Sequence, residues 1–148
     1  NLKEIDPPTL DSVSVMRVEP KIITVSEVSD ERESRALVSG GDEQDVKEIV
    51  RIFVEDSLSS SGVSRGFGEG ERLILRLKSW EANLSEKDLM KKINSEAKIE
   101  VSSPKYRGIY SATSEYLHPL PDDNDIKREL REVLGAAVSE FIKEIGKF

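Results

Sequence analysis

The chain contains one histidine and no cysteine, so imidazole or metal chemistry has to centre on His118, and thiolate chemistry is excluded. Its neighbours Leu117 and Pro119 offer neither a metal ligand nor an orienting carboxylate, and no HxxxH companion stands elsewhere. A histidine at the end of a strand is the reading that fits these surroundings. The glycines of Gly66-Phe67-Gly68-Glu69-Gly70 could bring backbone amides against a phosphate. A nucleotide site, however, needs such a loop to leave a strand and open a helix. This one follows a helical pattern and leads into a strand, with Glu69 and Glu71 opposing an anion. It reads as a connection whose tip presents Phe67. Asp122-Asp123-Asn124-Asp125 lacks the interleaved spacing and distal glutamate of a calcium loop and reads as a helix cap. With 29 acidic residues in the chain, adjacent pairs such as Glu55-Asp56 carry no information, and the serines come without a GxSxG elbow. The expectation is a non-enzymatic protein with no cofactor and no metal.

Aromatic side chains on an open sheet face make good anchors for a partner. Trp80, Phe67 and Tyr110 are the candidate partner-binding residues. Unbroken alternation through 72–80 places Trp80 on the face that carries Arg76 and Lys78. Tyr106 and Tyr116 stand in the next strand pattern, where packing between strands accounts for them equally well.

The elements that must position these residues follow from periodicity. In 122–148 the apolar residues Ile126, Leu130, Val133, Leu134, Ala137, Val138, Phe141, Ile142 and Ile145 fall at three- and four-residue steps, the stripe of an amphipathic helix. A second stripe, Val46, Ile49, Val50, Phe53, Val54 and Leu58, predicts a helix over 42–59 capped by Gly41 or Asp42, with Gly62 as a left-handed exit. Period-two patterns predict strands over 13–18, 22–28, 72–80, 92–102 and 106–117. The residues 30–45 read as a mobile loop, 84–91 as a polar connection with a single helical turn, and 102–105 as a hairpin link. The order is β-α-β-β-β-α. Strands with one apolar side leave one face for helices, so the expected fold is α+β: a two-layer sandwich of an about four-stranded mixed sheet with both helices on one face. The other face is left to water or a partner.

The chain has 148 residues, 36% apolar and 34% charged, with a formal net charge of -7. That length suits one domain, here 13–148, preceded by an extended leader or tether over 1–12 that contains Pro7 and Pro8. The acidic balance argues against nucleic-acid binding and against direct adsorption to anionic membranes. No stretch approaches the roughly 18–20 apolar residues that cross a bilayer as a helix.

The segment 42–61 followed by the strands 72–80, 92–102 and 106–117, and the closing helix with Val133-Leu134-Gly135-Ala136-Ala137-Val138, resembles the small lipoproteins of the bacterial cell envelope. The resemblance is to YajG-like lipoproteins in particular, and more distantly, in element order, to the lipopolysaccharide-assembly lipoproteins. It implies a periplasmic domain attached to the outer membrane through a lipidated cysteine preceding Asn1, with the leader as tether. It also implies a role as an interaction or assembly module whose partner is a protein or envelope component. The residues by themselves leave open a cytosolic adaptor that binds a protein through its open sheet face or an edge strand.

Overall fold

The computed structural model describes residues 22–62, 64, 65, 71–104 and 106–145. The leader over 1–12, the strand expected over 13–18 and the Phe67 loop lie outside them. Among the described residues the elements run β1 (Ile22–Asp30), α1 (Lys47–Ser60), β2 (Ser64–Arg65), β3 (Glu71–Lys87), β4 (Met90–Ser103), β5 (Tyr106–His118) and α2 (Asp123–Ile145). They form one mixed sheet in the order β2-β1-β3-β4-β5. β1 runs parallel to both β2 and β3, whereas β3, β4 and β5 form an antiparallel meander. The α+β sandwich expected from the sequence is present, with the two-residue β2 added at the edge.

α2 starts where its chemistry dictates. The Asp125 amide donates to Asp122 Oδ1 at 2.9 Å and the Asp122 amide donates to Asp125 Oδ2 at 3.0 Å, a reciprocal capping box that satisfies two otherwise orphaned amides. All nine residues of the predicted stripe, from Ile126 to Ile145, are buried. They close over Leu73, Leu75, Leu77, Ile93, Ala97, Ile99 and Val101, while Val50, Phe53, Val54 and Leu58 of α1 join the same core beside β1. Burial of each large apolar side chain contributes about 1.5–3 kcal/mol, so the helix-covered face is the stabilising layer.

α1 begins at Lys47 and not at 42, a correction with a local cause. The Gln44 amide donates to the Arg35 carbonyl at 3.0 Å, and Ala36 and Glu43 form an antiparallel bridge. That pairing holds 43 and 44 extended until Asp45 Oδ1 accepts from the Lys47 amide at 3.1 Å. The helix leaves through Gly62 at φ +96°, the left-handed exit expected of it.

Three further corrections concern β3. A register shift between Leu77 and Ser79 inserts one residue into the ladder with β4. Because side chains alternate with period two, that insertion flips everything after it. The strand also does not stop at Trp80: β3 and β4 continue to a two-residue turn, with Lys87 opposite Met90 and Asp88 at φ +57°. No helical turn interrupts 84–91. Finally, 30–45 is not a free loop. β1 covers β3 only as far as Leu77, after which the Ala82 amide donates to the Leu37 carbonyl at 2.7 Å and the Ser39 amide to the Ala82 carbonyl at 3.0 Å. Leu37 is 1% exposed. The segment thus fills the edge that β1 leaves open.

Candidate interaction surface

The face of the sheet opposite the helices is built from polar residues at alternate positions of the meander. The ladders set Arg76 against Glu100 and Ser79 against Lys98. Beyond β4 they set Ile109 against Glu100, Ser111 against Lys98, and Thr113 against Glu96. Glu100 is the centre of this face, only 2% exposed although no helix covers it. Arg76 Nη1 donates to its Oε2 at 3.0 Å, and Arg107 donates to its Oε1 from Nη2 at 2.7 Å and from Nε at 3.2 Å. The Arg107 hydrogen bonds, joined by those of Arg76, hold the Glu100 carboxyl below its usual range against the opposing effect of desolvation.

The network extends sideways. Arg76 Nη1 also donates to Ser102 Oγ at 3.1 Å, and Arg76 Nε lies 3.3 Å from Glu31 Oε2. Lys78 Nζ donates to Glu31 Oε1 at 2.6 Å, and that hydrogen bond leads the effects that lower the Glu31 carboxyl. Three cations and two carboxylates therefore lock side chains from three strands and a loop into one arrangement. A shallow groove beside them is lined by Glu31, Lys78, Ser79, Glu81, Glu96 and Lys98.

Arg32, which also lines the groove, belongs to an ion pair that sequence reasoning missed. Arg32 and Asp30 meet at 2.8 Å with side chains 1% and 4% exposed. Arg32 Nη2 also donates to the Gln44 carbonyl at 2.8 Å, while its Nη1 is buried with no hydrogen-bond partner among the described residues. A lone Asp and Arg two apart in a polar stretch give no signal of burial, because the pair is closed in by a segment that returns later in the chain, where the Gln44 carbonyl accepts from Arg32.

The aromatic candidates are placed differently from the expectation. The bulge turns Trp80 away from Arg76 and Lys78, onto the helix-covered face, where it is 1% exposed and its Nε1 donates to the Leu130 carbonyl at 2.8 Å. Tyr110 is also in the core, its ring 5.7 Å from that of Phe141. Phe67 lies outside the described residues. His118 ends β5 exposed, with Nδ1 accepting from the Leu120 amide at 3.0 Å and its ring stacked on Tyr116. Among the described residues no three His, Cys, Asp or Glu side chains group to hold a metal, and no helix is long and apolar enough to cross a membrane.

No family model matches the chain, and no curated protein matches it. Solved structures do. A Xanthomonas campestris protein of the DUF330 family is 12% identical, over 91% of this chain and 90% of that one, at a TM-score of 0.53. An uncharacterized protein is 11% identical, over 86% of this chain and 99% of that one, at a TM-score of 0.50. A minor lipoprotein from Acinetobacter baumannii aligns at 10% identity over 82% of this chain and 92% of that one, at a TM-score of 0.49. At these identities the likeness to the first two is one of fold alone, and the α+β architecture expected from the sequence holds at that level.

Proposed function

We propose that this chain is a non-enzymatic protein of the bacterial cell envelope, periplasmic and held at the outer membrane by a lipid on a cysteine preceding Asn1, and that it works as an interaction or assembly module. The observation that carries the interaction role is the open sheet face. Its charged side chains are fixed in place by Glu100, Arg76 and Arg107, while both helices are committed to the opposite face. A rigid polar surface recognises a partner with little ordering cost at binding. The envelope location rests on the resemblance of the sequence to the small lipoproteins of the bacterial cell envelope.

Two measurements test it. The full precursor, expressed in a bacterial host with labelled palmitate, should take up label and sediment with outer membranes; unlabelled protein in the soluble fraction would sink the anchored reading. A photo-crosslinking residue at Lys98 on the open face should yield adducts in the same cells, whereas one at Glu140 on the outer side of α2 should not. Equal labelling from both positions would remove the open face as the recognition surface.

A further inference from the structure

β5 is the last strand of the sheet, paired among the described residues with β4 alone. The ladder runs from Lys91 opposite His118 to Ser103 opposite Tyr106 with no bulge. Edge strands are usually blunted by proline, lysine, bulges or shortness, and β5 has none of these: it is 13 residues long and contains neither proline nor lysine. Gly108, the residue that would weaken such a strand, is roofed by its neighbours. A methyl group there would run into the hydroxyls of Tyr106 and Tyr110, so the tyrosines pack where the glycine has no side chain.

The edge is complementary to itself in one register. Antiparallel pairing of two copies about Ser111 puts Arg107 opposite Glu115 twice, Ile109 opposite Thr113 twice, and Ser111 opposite Ser111. All five residues are exposed. On the helix-covered face the same register sets Tyr106 against Tyr116 and Gly108 against Ser114. A centre at Ala112 instead faces Arg107 with Leu117 and Ile109 with Glu115; a centre at Thr113 separates the two charges. Both charged groups keep capacity for the new partner, since Arg107 uses Nε and Nη2 on Glu100 and Glu115 uses Oε1 on Lys92. The formal charge of -7 per copy opposes association, but at physiological salt charges separated by more than about 8 Å are largely screened. Opposed side chains in a ladder are closer than that, so the local pairs prevail.

We propose that the chain forms a two-fold dimer in which the β5 edges of two copies pair antiparallel about Ser111, joining the two sheets into one. The inference goes beyond the proposed function and holds or fails independently of cellular location. The native absence of cysteine makes register directly readable. In the full chain, Ser111→Cys brings two thiols to roughly 4.5–5.5 Å between Cα atoms, within disulfide reach. Thr113→Cys leaves them about 13 Å apart along the strands. Mild oxidation should convert S111C to covalent dimer at least about tenfold faster than T113C, and sedimentation of the native chain should show a concentration-dependent dimer. Ser111→Lys should weaken that dimer about tenfold or more by setting like charges at the axis, with the melting temperature of the monomer unchanged. A native chain that stays monomeric to high concentration overturns the proposal, as does faster crosslinking of T113C than of S111C.

Discussion

Replacing Trp80 by alanine tests the bulge that decides which face of the sheet this residue serves. The indole is 1% exposed among the core residues and donates to the Leu130 carbonyl. Truncation removes the largest side chain of the core and leaves a cavity, at a cost of about 3–5 kcal/mol. Against a total stability of about 5–15 kcal/mol for a domain, that is a large fraction. Trp80→Phe keeps most of the volume and loses the hydrogen bond, and the Leu130 carbonyl still has a helical amide to accept, so its cost is about 1–2 kcal/mol. Urea unfolding followed by far-ultraviolet circular dichroism measures both, since the substitution removes the sole tryptophan. Had unbroken alternation held, Trp80 would stand on the open face, where truncation costs within about 0.5 kcal/mol. A W80A protein with a urea midpoint indistinguishable from the native one would therefore refute the bulge and the register that follows from it. The native fluorescence gives an independent reading: emission should be blue-shifted and resistant to acrylamide.

Arg32→Met should destabilise the fold by about 3–5 kcal/mol, because it leaves the buried Asp30 carboxylate without its partner; thermal melts of R32M and of the double variant D30N/R32M check this, the second recovering much of the loss. Asp30, Glu31, Glu100 and Asp125 all have carboxyls held below their ordinary values, so the folded state binds fewer protons than the unfolded one as acid is added. Their stabilisation is present above the ordinary carboxylate range and is lost as pH falls through and below about 4.5, which melting temperatures from pH 7 to pH 3 should show as a steady decline. Glu132 runs the other way: desolvation and the neighbouring Glu129 raise its carboxyl, so Glu132→Gln should raise the melting temperature at pH 7, with the gain vanishing near pH 4. Truncation before Ile126 strips α2 from the sheet and should abolish the cooperative transition seen by calorimetry; a truncated chain that melts normally would refute the two-layer arrangement.

The helices and the centres of the strands are legible in the sequence because their burial is periodic and local. The stripe of α2 needs no knowledge of its partner, and the aspartates before it announce the cap. What is illegible depends on long-range pairing. One inserted residue near Lys78 reverses the facing of Trp80, and nothing in the local composition distinguishes that strand from a regular one. Leu37 is buried because β3 outruns β1, a relation between segments more than forty positions apart in the chain. The extension of β3 and β4 to the Asp88 turn is hidden for the opposite reason: Leu89 at its tip is 97% exposed, and where both faces meet water the apolar alternation that marks a strand disappears. The charged network on the open face is visible in the sequence only as alternating polar residues; that Glu100 is its buried centre requires Arg76 and Arg107 from the strands on either side of it.

The position of β3 also sets an order of assembly. β3, β4, β5 and α2 are consecutive in the chain and contact one another through short connections, so they close at low loop entropy. Among the described residues β1 has only the two-residue β2 as a partner until β3 exists, because its long parallel pairing spans α1 and the whole segment before Glu71. A chain emerging from its amino end therefore presents β1 paired with no more than the two residues of β2, and α1 without most of the core it joins, until the meander closes. During that interval the β-branched run Ile22-Ile23-Thr24-Val25 is the segment most open to capture by a chaperone or by another nascent copy.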